Sequence, residues 1–139
     1  GTIDRRLLGE IVFQDAESLK RLNAIVHPGV KSYIAEEIRK ERGAGKVPFV
    51  VVEAALLIEE HYEEICDEIW YIFVNDAVRA QRLASSRGYT AERTAQILKN
   101  QKSEEQFRAA CQFTVDNSSD FLENTYEQID KGLKEHEFV

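Results

Sequence analysis

A chain of 139 residues with 43% hydrophobic side chains is long enough to bury a core and too apolar to remain disordered. No apolar run approaches the ~20 residues that cross a bilayer, and no secretory leader pattern opens the chain, so a soluble, cytoplasmic protein is expected. The net charge of −7 argues against nucleic acid as a bulk partner, and the isolated Cys66 and Cys111 and the scattered His27, His61 and His136 have no metal-ligand spacing; the cysteines read as buried core residues and no metal site is expected on this chain.

The first elements read as helical. Leu7, Leu8, Ile11 and Val12 share one helical face. Asp15 is a plausible N-cap for a second helix carrying Leu19, Leu22 and Ile25. That helix is predicted to stop before His27-Pro28, because a residue preceding proline avoids the helical region. A third helix with Val30, Tyr33, Ile34 and Ile38 is predicted to close at Gly43 and Gly45. The period then changes. Continuous apolar runs at 48–52 and 69–74, and a weaker one at 113–115, read as buried strands of a parallel sheet. Helices are predicted over 76–86, 90–101 and 103–111, and from about 119 onward; Gly88 sits at a helix end, and Ser103 with Gln106 makes a capping box. Strands alternating with helices define an α/β fold with right-handed crossovers. A sheet of only three strands leaves apolar surface uncovered, which points to strands lying outside this sequence.

Chemistry concentrates after the strands, where open α/β sheets bind ligands. Glu53 ends the first apolar run and Glu59 follows one short turn later. A carboxylate there can hold a metal through water or orient a hydroxyl; Glu53 is equally well read as an acid favoured by a helix N-terminus, and for Glu59 the structural reading comes first. Between Asp76 and Lys102 six basic residues face two acids, while the rest of the chain carries −11. This pattern suits a small anionic ligand such as a nucleotide, and it also suits an ordinary solvated helix face. Arg79 and Arg82 lie three residues apart on one helical face, and Arg87 follows near the helix end. Arginine's planar fork makes paired charge-assisted bonds to phosphate, and a helix pair bearing such arginines can close over a site as a lid.

The segments, taken in order, resemble the dephospho-CoA kinase family. Gly1-Thr2-Ile3-Asp4-Arg5-Arg6 through Leu8, with Val12-Phe13 ending the helix, is similar to a family element. So are Asn23-Ala24-Ile25-Val26-His27-Pro28, the stretch Glu53-Ala54-Ala55-Leu56-Leu57-Ile58-Glu59, the lid pattern Arg82-Leu83 through Arg87, Thr90, Glu92, Ile97 and Gln101, and the strand end Val115-Asp116-Asn117-Ser118. The match runs from residue 1 to about 130. Glu53, Ala55 and Ile58 stand where the family usually has Asp, Pro and Phe, and the Arg82–Arg87 spacing is one longer than the commonest lid pattern, with Ser86 in the usual place.

The resemblance implies a parallel-sheet, P-loop kinase-like, three-layer αβα fold: residues 1–46 a helical CoA-binding region, 47–75 and 112–139 the core sheet and helices, and 76–111 the lid region. It implies transfer of the ATP γ-phosphate to the ribose 3′-hydroxyl of dephospho-CoA, the last step of CoA synthesis. His27, Asn23, Arg5 and Arg6 would serve the acceptor site, Arg82 and Arg87 the phosphates, Asn117 the adenine, and Glu53 the catalytic region. Without the resemblance, His27 reads as a structural histidine before a proline. The family's opening strand, Gly-x-x-x-x-Gly-Lys-Ser/Thr loop and acid-bearing second strand do not occur in this sequence. By family analogy the first strand lies between 48–52 and 69–74. The chain is therefore expected to be an N-terminally truncated kinase, inactive alone, with ATP and Mg²⁺ cofactors of the complete enzyme only, and prone to homodimerise through exposed sheet edges. Alternatives are a non-catalytic CoA- or nucleotide-binding protein of kinase descent and a fragment of another nucleotide kinase.

Overall fold

The computed structural model describes residues 2–12 and 14–139; Gly1 and Phe13, which belong to the opening motif, lie outside the described residues. The chain divides into two compact units, Gly1–Ala54 and Ala55–Val139.

In the first unit, helix α1 covers Arg5–Val12. The Asp4 carboxylate accepts hydrogen bonds from the Arg6 and Leu7 amides, both at 3.0 Å, satisfying donors that a helix start leaves open. Helix α2 covers Ala16–Ala44 without a break, where two helices were predicted with a boundary at His27-Pro28. Both outer caps are as expected. The Asp15 carboxylate accepts from the Glu17 and Ser18 amides, and Gly45 takes the left-handed conformation at φ 60° while its N–H reaches Glu41 O. Pro28 removes one ladder bond, but it stands on an exposed face and is flanked by long runs of good helix formers, which carry the helix across it. The 48–52 run also departs from expectation. It is not a strand, and Val50 and Val51 are 45% and 76% exposed. β-branched composition favours a strand only where a neighbour supplies the ladder bonds, and among the described residues none pairs with this run.

The second unit opens with turns and a short 3₁₀ segment, Tyr62–Glu64, whose Tyr62 is buried. Strand β1 (Trp70–Phe73) follows, then α3 (Asp76–Arg87), α4 (Ala91–Asn100), α5 (Glu104–Ala110), β2 (Phe113–Asp116) and α6 (Leu122–Glu135). The strands pair in parallel from Trp70↔Phe113 to Phe73↔Asp116, with the three helices as the crossover. Asn75, Thr90 and Ser103 cap the starts of α3, α4 and α5, the last as a reciprocal capping box with Gln106, and Gly88 closes α3 at φ 63°.

Alternation along the strands gives the sheet two faces. On one, Trp70 and Phe113 pack against α6 so closely that a Cβ on Gly132 would lie 2.8 Å from Trp70 Cη2 and 2.7 Å from Phe113 Cε1. Val115, on the same face, is fully buried. On the other, Tyr71 stacks on Phe107 of α5 with centroids 4.9 Å apart, and the Arg108 guanidinium lies 5.1 Å from the Phe73 ring. Parallel strands bond to either side with alternate residues. Since Phe73 O accepts from Asn117 N on β2's side, the backbone groups of Ile72 turn toward the opposite edge, and its side chain is 52% exposed.

Candidate functional site

The carboxyl ends of β1 and β2 lie side by side, and the chain leaves them as two short loops, 74–75 and 117–121. The two loops are bonded to each other, since the Asn75 amide donates to Ser118 Oγ at 2.9 Å and the Asn117 amide donates to Phe73 O at 2.8 Å. The Asn75 side chain caps α3 by accepting from Val78 N, so the helix starts beside both strand ends.

One turn into α3, the two arginines that share a face both reach back to these loops. Arg79 Nη2 donates to Val74 O at 3.1 Å and Nη1 to Gln101 Oε1 at 3.3 Å, with Asp76 at 4.0 Å. Arg82 donates from Nη1 to Asn117 O at 2.7 Å and from Nη2 to Ser119 O at 2.9 Å. The guanidinium fork thus spans the 117–119 loop as it would span a carboxylate, and holds a positive charge at the strand ends.

The loop is also held from α6. Thr125, buried at 8% exposure, donates its hydroxyl to Asn117 Oδ1 at 2.9 Å. Gln128 brackets Asp116, accepting from its N–H at 2.8 Å and donating to its C=O at 2.9 Å, in place of a neighbouring strand. Asp116 Oδ1 accepts from Ser118 N, and Ser119 Oγ accepts from Phe121 N and Asn124 Nδ2. Thr125 and Gln128 did not emerge from the sequence as site residues. The available signal was a threonine on the apolar stripe with Ile129 and Gly132, since a polar side chain on a buried face needs a partner.

Of the other expected site residues, Arg87 is exposed in the last turn of α3, about 7 Å along the axis from Arg82. Asn23 and His27 are half-buried and one turn apart on α2, hence on one face. Arg5 and Arg6 occupy the first turn of α1, and Arg6 Nη1 donates to Glu10 Oε1 at 2.6 Å. Glu53 and Glu59 are exposed, and residues 55–61 form turns, not a helix. The cysteines are half-buried, not buried as expected; burial pushes both thiols up, with the Asp67 charge adding to the effect at Cys66. Among the described residues no group of three or more His, Cys, Asp or Glu side chains is placed to hold a metal ion. Among the described residues no helix is long and apolar enough to cross a membrane.

A helix bearing Arg79 and Arg82 set against the carboxyl ends of parallel strands is an α/β arrangement, and in such folds ligands bind past the strand ends. The dephospho-CoA kinase family model matches residues 1–123, and the chain belongs to that family. Relatives bearing the name dephospho-CoA kinase include one from Geobacter sulfurreducens, 33% identical over 97% of this chain and 66% of its own length, and one from Listeria innocua, 33% identical over 93% and 64%. The crystal structure of TT1252 from Thermus thermophilus superposes with a TM-score of 0.78 at 27% identity, covering 98% of this chain and 68% of that one. The chain thus spans just under two-thirds of the length of these curated relatives.

Proposed function

We propose that this chain is the acceptor-binding and lid portion of a dephospho-CoA kinase. In the reaction, the ribose 3′-oxygen of dephospho-CoA bonds to the γ-phosphorus of ATP, the bond to the bridging oxygen breaks, ADP leaves, and the hydroxyl proton passes to a base. Residues 1–46 form the helical region that takes the acceptor, with His27 and Asn23 on one face of α2 and Arg5 and Arg6 assisting. Residues 76–111 form the lid, and 47–75 with 112–139 form the core. Asn117 lies by the adenine. Arg82 and Arg87 serve the phosphates, Arg82 by placing its charge beside the loop it clamps, and Glu53 helps orient the acceptor hydroxyl. Positioning and charge supply most of the catalysis in phosphoryl transfer, so this division of labour suits a site built from arginines and a braced loop.

The observation that carries this reading is the two-pronged bond from Arg82 to the Asn117 and Ser119 carbonyls, which joins the basic helix to the strand-end loop in a member of this family. The phosphate cradle, with its Mg²⁺, belongs to a glycine-rich loop not contained in these 139 residues. The chain alone is therefore inactive and, with β1 paired on one edge only among the described residues, forms homodimers. The complete enzyme works in the cytoplasm. The test is transfer of labelled γ-phosphate from ATP to dephospho-CoA, absent with this chain alone and present once a family phosphate-loop segment is joined to it.

A further inference from the structure

We propose that Thr125 is a positioning residue that determines which end of the Asn117 carboxamide meets the nucleobase. This rests on the reading of the 117–119 loop as the nucleotide site. A carboxamide offers an acceptor oxygen and a donor NH₂ that are alike in size, so an unrestrained asparagine can present either. At Asn117 the choice is made from behind. The Thr125 hydroxyl, buried on α6, donates to Oδ1 at 2.9 Å. With the oxygen held toward α6, the NH₂ edge turns away from it. The backbone beneath is fixed as well, by Arg82 on Asn117 O and by Phe73 O on Asn117 N.

The other polar side chains of the loop are engaged with the protein: Asp116 with Ser118 N, Ser118 with Asn75 N, and Ser119 with Phe121 N and Asn124. The two serine oxygens accept in these bonds and keep their hydroxyl hydrogens, whereas the Asn117 NH₂ is the carboxamide donor of the loop, and its complement is a ring nitrogen acceptor of a purine. Thr125 touches no ligand; it acts through the asparagine.

The test follows the side-chain amide signals of ¹⁵N-labelled chain, joined to the family phosphate-loop segment that holds the phosphates, during titration with ATP, for the unaltered chain and for T125V, T125S and N117D. In the unaltered chain the Asn117 NH₂ pair and the amides of 117–119 shift on titration. T125V, which keeps the shape and removes the donor, weakens ATP binding by roughly three- to tenfold, the cost of one hydrogen bond, and moves the Asn117 NH₂ pair to the positions of an unrestrained carboxamide. T125S restores both. N117D keeps an oxygen for Thr125 but has no NH₂, and loses affinity to the same degree with its thermal midpoint preserved. Should T125V fail to fold, N117D and T125S decide the matter. A T125V chain that binds like the unaltered one, or an N117D chain that does so, overturns the proposal while leaving the nucleotide reading intact. Absence of any shift at 117–119 in the unaltered chain removes the nucleotide reading itself, and this inference with it.

Discussion

Arg82 shows what composition and spacing convey about a single side chain. Its place on a basic helical face is legible from Arg79 and Asp76 nearby, but its partners are backbone carbonyls 35 and 37 positions away, and carbonyls carry no sequence signature. Glu68 was not legible at all. Its carboxylate accepts from Trp70 Nε1 at 2.8 Å and lies 2.9 Å from His136 Nδ1, tying the end of α6 to the start of β1. Burial works to raise this carboxyl, but the bonds from Trp70 and His136 and the His136 charge together outweigh it and hold the group below its ordinary value of 4.5. A depressed carboxyl contributes stability that is fully present above 4.5 and drains away as pH falls through the folded-state value. Replacing Glu68 by Gln is expected to cost about 1–2 kcal/mol at neutral pH. Urea unfolding of both proteins between pH 7 and pH 3 reads the difference, which should shrink below pH 4.5. A gap of constant size across that range would show that the ionised carboxylate is not what matters.

Helices and turns were the most readable elements, because their signals are local. Asp15, Gly45, Gly88 and the Ser103–Gln106 box each satisfy backbone groups within a few residues, and all are found where the sequence placed them. The breakdown at Pro28 comes from weighing a boundary rule above the helix formers on either side of it. Strands depend on partners elsewhere. The runs that became β1 and β2 have each other, whereas the equally apolar 48–52 has no ladder among the described residues. Packing of α6 on the sheet is set by Gly132, whose missing side chain admits both aromatic rings. Alanine in a helix ordinarily gains about 0.5–1 kcal/mol over glycine. Here its Cβ would fall under 3 Å from Trp70 and Phe113, and neither ring is the free end of a flexible chain. Gly132→Ala is therefore expected to destabilise by about 1–3 kcal/mol, lowering the thermal midpoint. A raised midpoint would mean that the rings yield more easily than the contacts imply.

The chain carries two helices in its first unit and, in the second, a basic crossover set against parallel strand ends. The order and spacing of the motifs made the family legible, since they survive changes at individual positions. The sheet's extent was not legible, because an apolar run becomes a strand only with a partner, and 48–52 has none among the described residues. Among the described residues only β2 pairs with β1, and an open strand edge is a template for a second chain. The isolated chain should accordingly sediment as a dimer at micromolar concentration, and a monomer that resists concentration would count against an exposed edge. The most direct test of the kinase reading is γ-phosphate transfer to the 3′-hydroxyl of dephospho-CoA, measured for this chain and for the same chain joined to the phosphate-loop segment of the Geobacter sulfurreducens relative. The expected result is CoA formed by the joined protein and none by the chain alone. Turnover by the pure chain, or a joined protein that unfolds cooperatively yet phosphorylates other acceptors and not dephospho-CoA, would contradict it.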